Sequence, residues 1–125
     1  MKRPRSARGL SSVEFALVLP AVVLVLLLGV QAAVFARDRI LVVHAARVAA
    51  RAVVVEPSER AALDALDAHG MPTERLSVEL RGDRSPGSVV EVTVRLRPTA
   101  LAIVGRVVAR HELSETLGAA VEEPA

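Results

Sequence analysis

The apolar positions of this chain change rhythm three times, and each rhythm predicts a different element. Residues 15–36 form an unbroken uncharged run of 22 residues. At 1.5 Å per helical residue that is roughly 33 Å, the thickness of a bilayer's hydrocarbon core. The helical pattern continues past the run, because residues 40–55 contain no Gly or Pro and keep Ala-rich spacing up to Glu56-Pro57. One helix over residues 10–56 is predicted, with a transmembrane span at about 13–36. In its outer half Arg37, Ile40, His44, Arg47 and Arg51 recur at spacings of three and four, so they share one face and form a basic stripe.

After Pro57 the rhythm shortens. Residues 58–69 read as an amphipathic helix with Ala62, Leu63, Ala65 and Leu66 inward, stopped by Gly70 and Pro72. The period then falls to two: Leu76, Val78 and Leu80 alternate with Ser77, Glu79 and Arg81. Val90, Val92, Val94 and Leu96 alternate with Glu91, Thr93, Arg95 and Arg97. The turn formers at 82–87 between them predict an antiparallel hairpin with a mobile tip. A third strand is predicted at residues 106–113, with Val107, Ala109, His111 and Leu113 on one face, and the tail from 114 to 125 reads as frayed. Two strands alone are marginal in water, so the third strand and a packed helix are what the domain needs to fold. The fold class is α+β: a long N-terminal transmembrane helix extending out of the membrane, a short helix and a small three-stranded antiparallel sheet. Residues 57–125 form the extracytoplasmic domain.

Charge sharpens the first element. Lys2, Arg3, Arg5 and Arg8 precede the apolar run, so residues 1–9 form a basic leader, and Glu14 is the one acid at the run's edge. These four cations account for the formal charge of +2, and the rest of the chain is close to neutral, which argues against a nucleic-acid partner. A cleavable secretory signal would have an apolar region of about 7–15 residues; this run is longer, although Ala32, Ala33 and Ala36 resemble the small residues of such a cleavage site. Arg37, Arg39, Arg47 and Arg51 follow the span, so the positive-inside count on its two sides is a tie. Pro20 lies about a turn and a half into the run and should kink or loosen the helix there, which membrane helices tolerate.

The combination with functional content is Arg8-Gly9-Leu10-Ser11-Ser12-Val13-Glu14-Phe15. A basic leader holds its end on the cytoplasmic side, and Gly9 offers a peptidase an unhindered bond before Leu10. An acid at the centre of an inserted helix costs about 2.5–3.5 kcal/mol and less near the interface, which points to a paired or functional role for Glu14. The plainer reading is a carboxylate at the headgroups, favoured by the helix N-terminal dipole. Gly9, Val13-Glu14-Phe15-Ala16, Pro20 and the later Ala45-Ala46-Arg47-Val48-Ala49-Ala50-Arg51-Ala52 together resemble the TadE-like family, minor pseudopilins of the tight-adherence (Flp, type IVb) pilus system. Alanine stands between the two arginines where the family has Gly. The close resemblance covers residues 9–55.

That resemblance implies cleavage between Gly9 and Leu10 by a prepilin peptidase. It also implies docking of Glu14 against the processed N-terminus of a neighbouring pilus or pseudopilin subunit, and partners in the inner-membrane assembly platform. The expected location is the cytoplasmic membrane, single-pass, with the N-terminus cytoplasmic and the domain outside. Arg37, His44, Arg47 and Arg51 are read either as a solvated face or as a contact with anionic lipid headgroups or a neighbour's acidic face. No catalytic role is expected. Cysteine is absent, removing thiolate chemistry, and His44, His69 and His111 lie on separate elements without metal-ligand spacing. Neither a cofactor nor a metal is expected. The alternative is an unprocessed single-span anchor serving as accessory subunit of another envelope or secretion complex.

Overall fold

The computed structural model describes residues 7–99 and 112–122, with side chains from Val13 onward. One helix, α1 (Ala7–Val55), carries the apolar run and the basic stripe without a break. It begins three residues before the expected position, with Gly9 inside its first turns. A helical glycine costs about 1 kcal/mol relative to alanine, too little to stop a helix already propagating from the apolar run. It stops at Val55 because Pro57 disfavours the α conformation at the residue before it.

From Val13 to Val30 the helix exposes its large apolar side chains on every side. From Gln31 upward one face is covered. Val42, Ala45, Ala46, Ala49 and Val53 on that face are fully buried. The small residues among them let the helix approach the sheet closely. Helix α2 (Glu59–Ala68) returns along α1 and buries Ala62 and Leu66 in the same core. Ser58 caps it by accepting the Ala61 N–H at 3.0 Å. Its C-terminus closes with Gly70 N–H on the Asp67 carbonyl at 2.8 Å and Met71 N–H on the Leu66 carbonyl at 3.1 Å. Gly70 has φ +67°, the left-handed conformation this closure requires.

A 3₁₀ turn, Thr73–Arg75, leads into an antiparallel sheet ordered β1-β2-β3, with β1 Leu76–Gly82, β2 Val89–Leu96 and β3 Leu113–Ala120. The inward faces of β1 and β2 are those the alternation predicts. Strand β3 differs from expectation: the segment read as a frayed tail is itself the strand. The expected strand overlaps it only at Leu113, Glu112 lies outside it, and residues 106–111, with His111, lie outside the described residues. Its Ser, Glu, Gly and Ala content gives weak strand propensity. Pairing decides the matter, because Leu113, Leu117 and Ala119 stand opposite Leu96, Val92 and Val90 and complete the inner face. Beyond the strand, Val121 exchanges backbone bonds with Gly87 and Ser88, and the Glu122 N–H reaches the Val54 carbonyl at 3.0 Å. The hairpin loop expected to be mobile is therefore tied to the chain's end. Asp83 also organises it, its carboxylate accepting from the Ser85 N–H and hydroxyl.

The outer face of the sheet is polar. Glu79 receives Arg95 at 2.6 Å and Arg81 at 2.7 Å, and these hydrogen bonds, Arg95 first, hold its carboxyl below the usual range.

What fixes the sheet's position along α1 is Asp38, 1% exposed on the same face as Val42 and Ala45. Its Oδ2 accepts from Arg75 Nη2 at 3.0 Å and from the Thr99 N–H at 2.5 Å. Arg75 in turn donates to the Arg97 carbonyl through Nε and Nη2. Two turns nearer the N-terminus Gln31 Nε2 donates to the Thr99 carbonyl at 3.4 Å. On the neighbouring face Arg39 pairs with Glu115 at 2.9 Å and donates to the Ser114 carbonyl at 3.0 Å. The end of β2 and the start of β3 are both fastened to one short stretch of helix.

Two outcomes are expected. Asp38→Ala should lower the stability of the sheet against α1 by about 2–4 kcal/mol, toward the low end of losses on breaking a buried pair because Arg75 is part-exposed and can rehydrate; thermal unfolding in detergent micelles, followed by near-ultraviolet-independent amide signals, measures it, and a loss no larger than that of Arg60→Ala would refute the assignment. In an NMR titration Glu79 should have its midpoint below that of an ordinary glutamate, and Arg95→Gln should move it upward.

Candidate assembly site on the long helix

The residues singled out in the sequence fall at three heights on α1. At the N-terminal end Gly9 and Leu10 have helical backbone. Access of a peptidase to the bond between them therefore requires the first turns to open, which the unsatisfied N–H groups of a helix end make inexpensive. Glu14 lies four residues after Leu10, about 6 Å along the axis. It is exposed, and no basic group among the described residues pairs with it. Its surroundings on the helix are exposed apolar side chains, Val13, Phe15, Leu17 and Val18.

Pro20 lies inside the helix, which passes through it. Lacking an N–H, it leaves the Ala16 carbonyl without its usual helical partner and makes this the point of weakest axial bonding in the span.

In the outer half the structure divides the Ala/Arg motif between two faces. Ala45, Ala46 and Ala49 point into the core and are fully buried, whereas Arg47 and Arg51 are exposed on the opposite side together with Arg37, Ile40 and His44. The alanines serve close packing and the arginines face away from it. Among the described residues none of Arg37, Arg47 and Arg51 has an ion-pair partner. Two clefts flank this face. One, about 660 Å³, runs between α1 and the end of α2 and is lined by Arg37, His44, His69, Met71 and Glu74 among others. The second, about 310 Å³, is lined by Arg39, Ile40, Val43, His44 and Arg47.

His44 and His69 thus come to one cleft from separate elements, a meeting that sequence spacing did not indicate. Among the described residues no group of three His, Asp or Glu side chains is arranged to hold a metal ion. The residues that sequence reasoning missed are Asp38, Arg75, Gln31 and the Arg39–Glu115 pair. One signal was available for the first: Asp38 is the sole acid between Glu14 and Glu56. An isolated acid on the apolar face of a helix needs a buried partner.

The family model for TadE-like protein matches residues 9–51. No curated protein and no solved structure matches the chain. The matched segment starts at the Gly9–Leu10 junction, contains Glu14 and Pro20, and ends on Arg51, so both the apolar span and the arginine face lie within it. From that junction to the second of the two arginines, the chain is similar to TadE-like proteins.

Proposed function

We propose that the chain is a minor pseudopilin-like subunit in biogenesis of a tight-adherence (Flp, type IVb) pilus, acting by helix packing and subunit docking and not by catalysis. The observation that carries this reading is Glu14: an exposed carboxylate on an apolar helix, one turn beyond the Gly9–Leu10 bond, inside the TadE-like match. A prepilin peptidase cutting at that bond would leave Leu10 as the N-terminus. The α-amino group so produced on one subunit is the natural counter-charge for Glu14 of the next. In a low-dielectric surrounding their attraction is strong, desolvation offsets much of it, and the balance favours one axial register over all others.

Supporting the membrane part of the reading is the one helix, among the described residues, that is long and apolar enough to cross a bilayer. Its uncovered portion, residues 13–30, is 18 residues or about 27 Å. The sheet's lower edge at Thr99 meets α1 at Gln31, which is compatible with a domain resting just above the bilayer; on our reading that membrane is the cytoplasmic one and the N-terminus is cytoplasmic. A second reading, an unprocessed anchor for another envelope complex, is favoured by one feature: helical backbone runs through Gly9 back to Ala7 without marking the junction.

Intact mass and N-terminal sequencing of protein purified from cells with an active prepilin peptidase should give a mature start at Leu10, and Gly9→Val should leave the leader attached. Glu14→Ala should be cut normally yet recovered at least about tenfold less in the assembled fraction, a loss near 1.4 kcal/mol for one buried charge contact. An intact leader on the unaltered chain in such cells would leave the anchor as the better account.

A further inference from the structure

The outward face of α1 carries three arginines that have no ion-pair partner among the described residues, although Glu74 shares a cleft with Arg37, and their heights decide what they can touch. Taking the bilayer boundary at Val30, where the helix is still uncovered, Arg37 lies within side-chain reach of the headgroups, but Arg47 stands about 26 Å and Arg51 about 32 Å from that boundary along the axis. A headgroup layer is only about 5–8 Å deep on each side. Even a helix tilted by about 40° leaves both above it. Lipid can therefore neutralise Arg37 and not the other two, which are left either to water or to a protein surface.

Helix α2 supplies the complementary chemistry at that height. It starts just beyond the top of α1 and descends, because its end at His69 shares a cleft with Arg37 and His44. Its exposed side, with the residue before its cap, shows Glu56, Glu59, Asp64 and Asp67 against a single base, Arg60. Arg60 approaches Asp64 only to 4.0 Å, with both side chains largely in water. Two copies anchored in one bilayer are held at equal depth, so the acids of one stand level with Arg47 and Arg51 of the other.

We propose that the arginine face of α1 docks the acidic face of α2 from a second copy of this chain, side by side in the same membrane. The contact is isologous: each copy gives one arginine face and one α2, so every charge pair forms twice. Ile40, 71% exposed between the two clefts, supplies an apolar contact within the polar rim. This inference uses the membrane placement argued above and is independent of leader cleavage.

The absence of native cysteine allows a single label, so Ser77→Cys on the outer sheet face can carry donor or acceptor dyes for energy transfer between full-length chains in liposomes. Charge reversal of the stripe, Arg47→Glu with Arg51→Glu, should cut transfer about fivefold at fixed protein density, and so should Asp64→Arg with Asp67→Arg. Mixing the two reversed forms restores complementarity at both contacts and should return transfer to the unaltered level. Circular dichroism shows that each form is folded, and carbonate-resistant flotation of the same liposomes tests membrane insertion separately. Unchanged transfer after either reversal, or no recovery on mixing folded and inserted forms, overturns the proposal.

Discussion

Asp38 is the constraint on which the arrangement depends. A carboxylate taken almost wholly out of water costs several kcal/mol unless its lone pairs are met, and here a guanidinium and a backbone N–H meet them. Apolar packing between α1 and the sheet is tolerant of small slips, because a row of Ala and Val offers similar contacts at several registers. The Asp38 contacts are not tolerant. Only one axial position of the sheet brings Arg75 and Thr99 together at that oxygen, so the pair sets where the domain stands on the helix.

From that register the division of the helix surface follows. From Val13 to Val30 the surface is, apart from Glu14, apolar and mostly exposed; beyond Gln31 one side is covered by the sheet and α2, and the other presents arginines to water. The same helix changes surroundings along its length, from exposed apolar surface to domain core along one face and to exposed arginines along the other. Alanine at 45, 46 and 49 serves the covered face, since a larger side chain there would push the sheet away and open the Asp38 contacts. The match to TadE-like proteins covers residues on both faces of the helix and ends before α2 and the sheet.

Much of this was legible in the sequence because helix and hairpin announce themselves through periodicity. The 22-residue run, the α2 face with Ala62 and Leu66, and the alternating valines of β2 are local patterns that packing only confirms. Strand β3 was not legible because its residues have weak propensity, and its assignment rests on pairing with Val90, Val92 and Leu96, which is a tertiary fact. The Asp38 clasp was hidden for a related reason: its partners lie 37 and 61 positions away. At the candidate site the order of Gly9, Glu14 and the two arginines was readable, while the opposite orientation of the alanines and arginines needed the sheet to show which face is inside.

The continuity of α1 has a mechanical consequence for any docking at its N-terminal end. Glu14 and Asp38 are 24 residues apart on one helix, about 36 Å, with no intervening loop. Between them only Pro20 removes a helical hydrogen bond. Because Asp38 fixes the sheet to the helix, an axial position set at Glu14 is carried outward to the domain as a rigid displacement, apart from whatever bending Pro20 permits. A flexible linker in that place would let the membrane end and the domain choose partners separately. Here, an axial position chosen at Glu14 also chooses the axial position at which Arg47, Arg51 and α2 are presented.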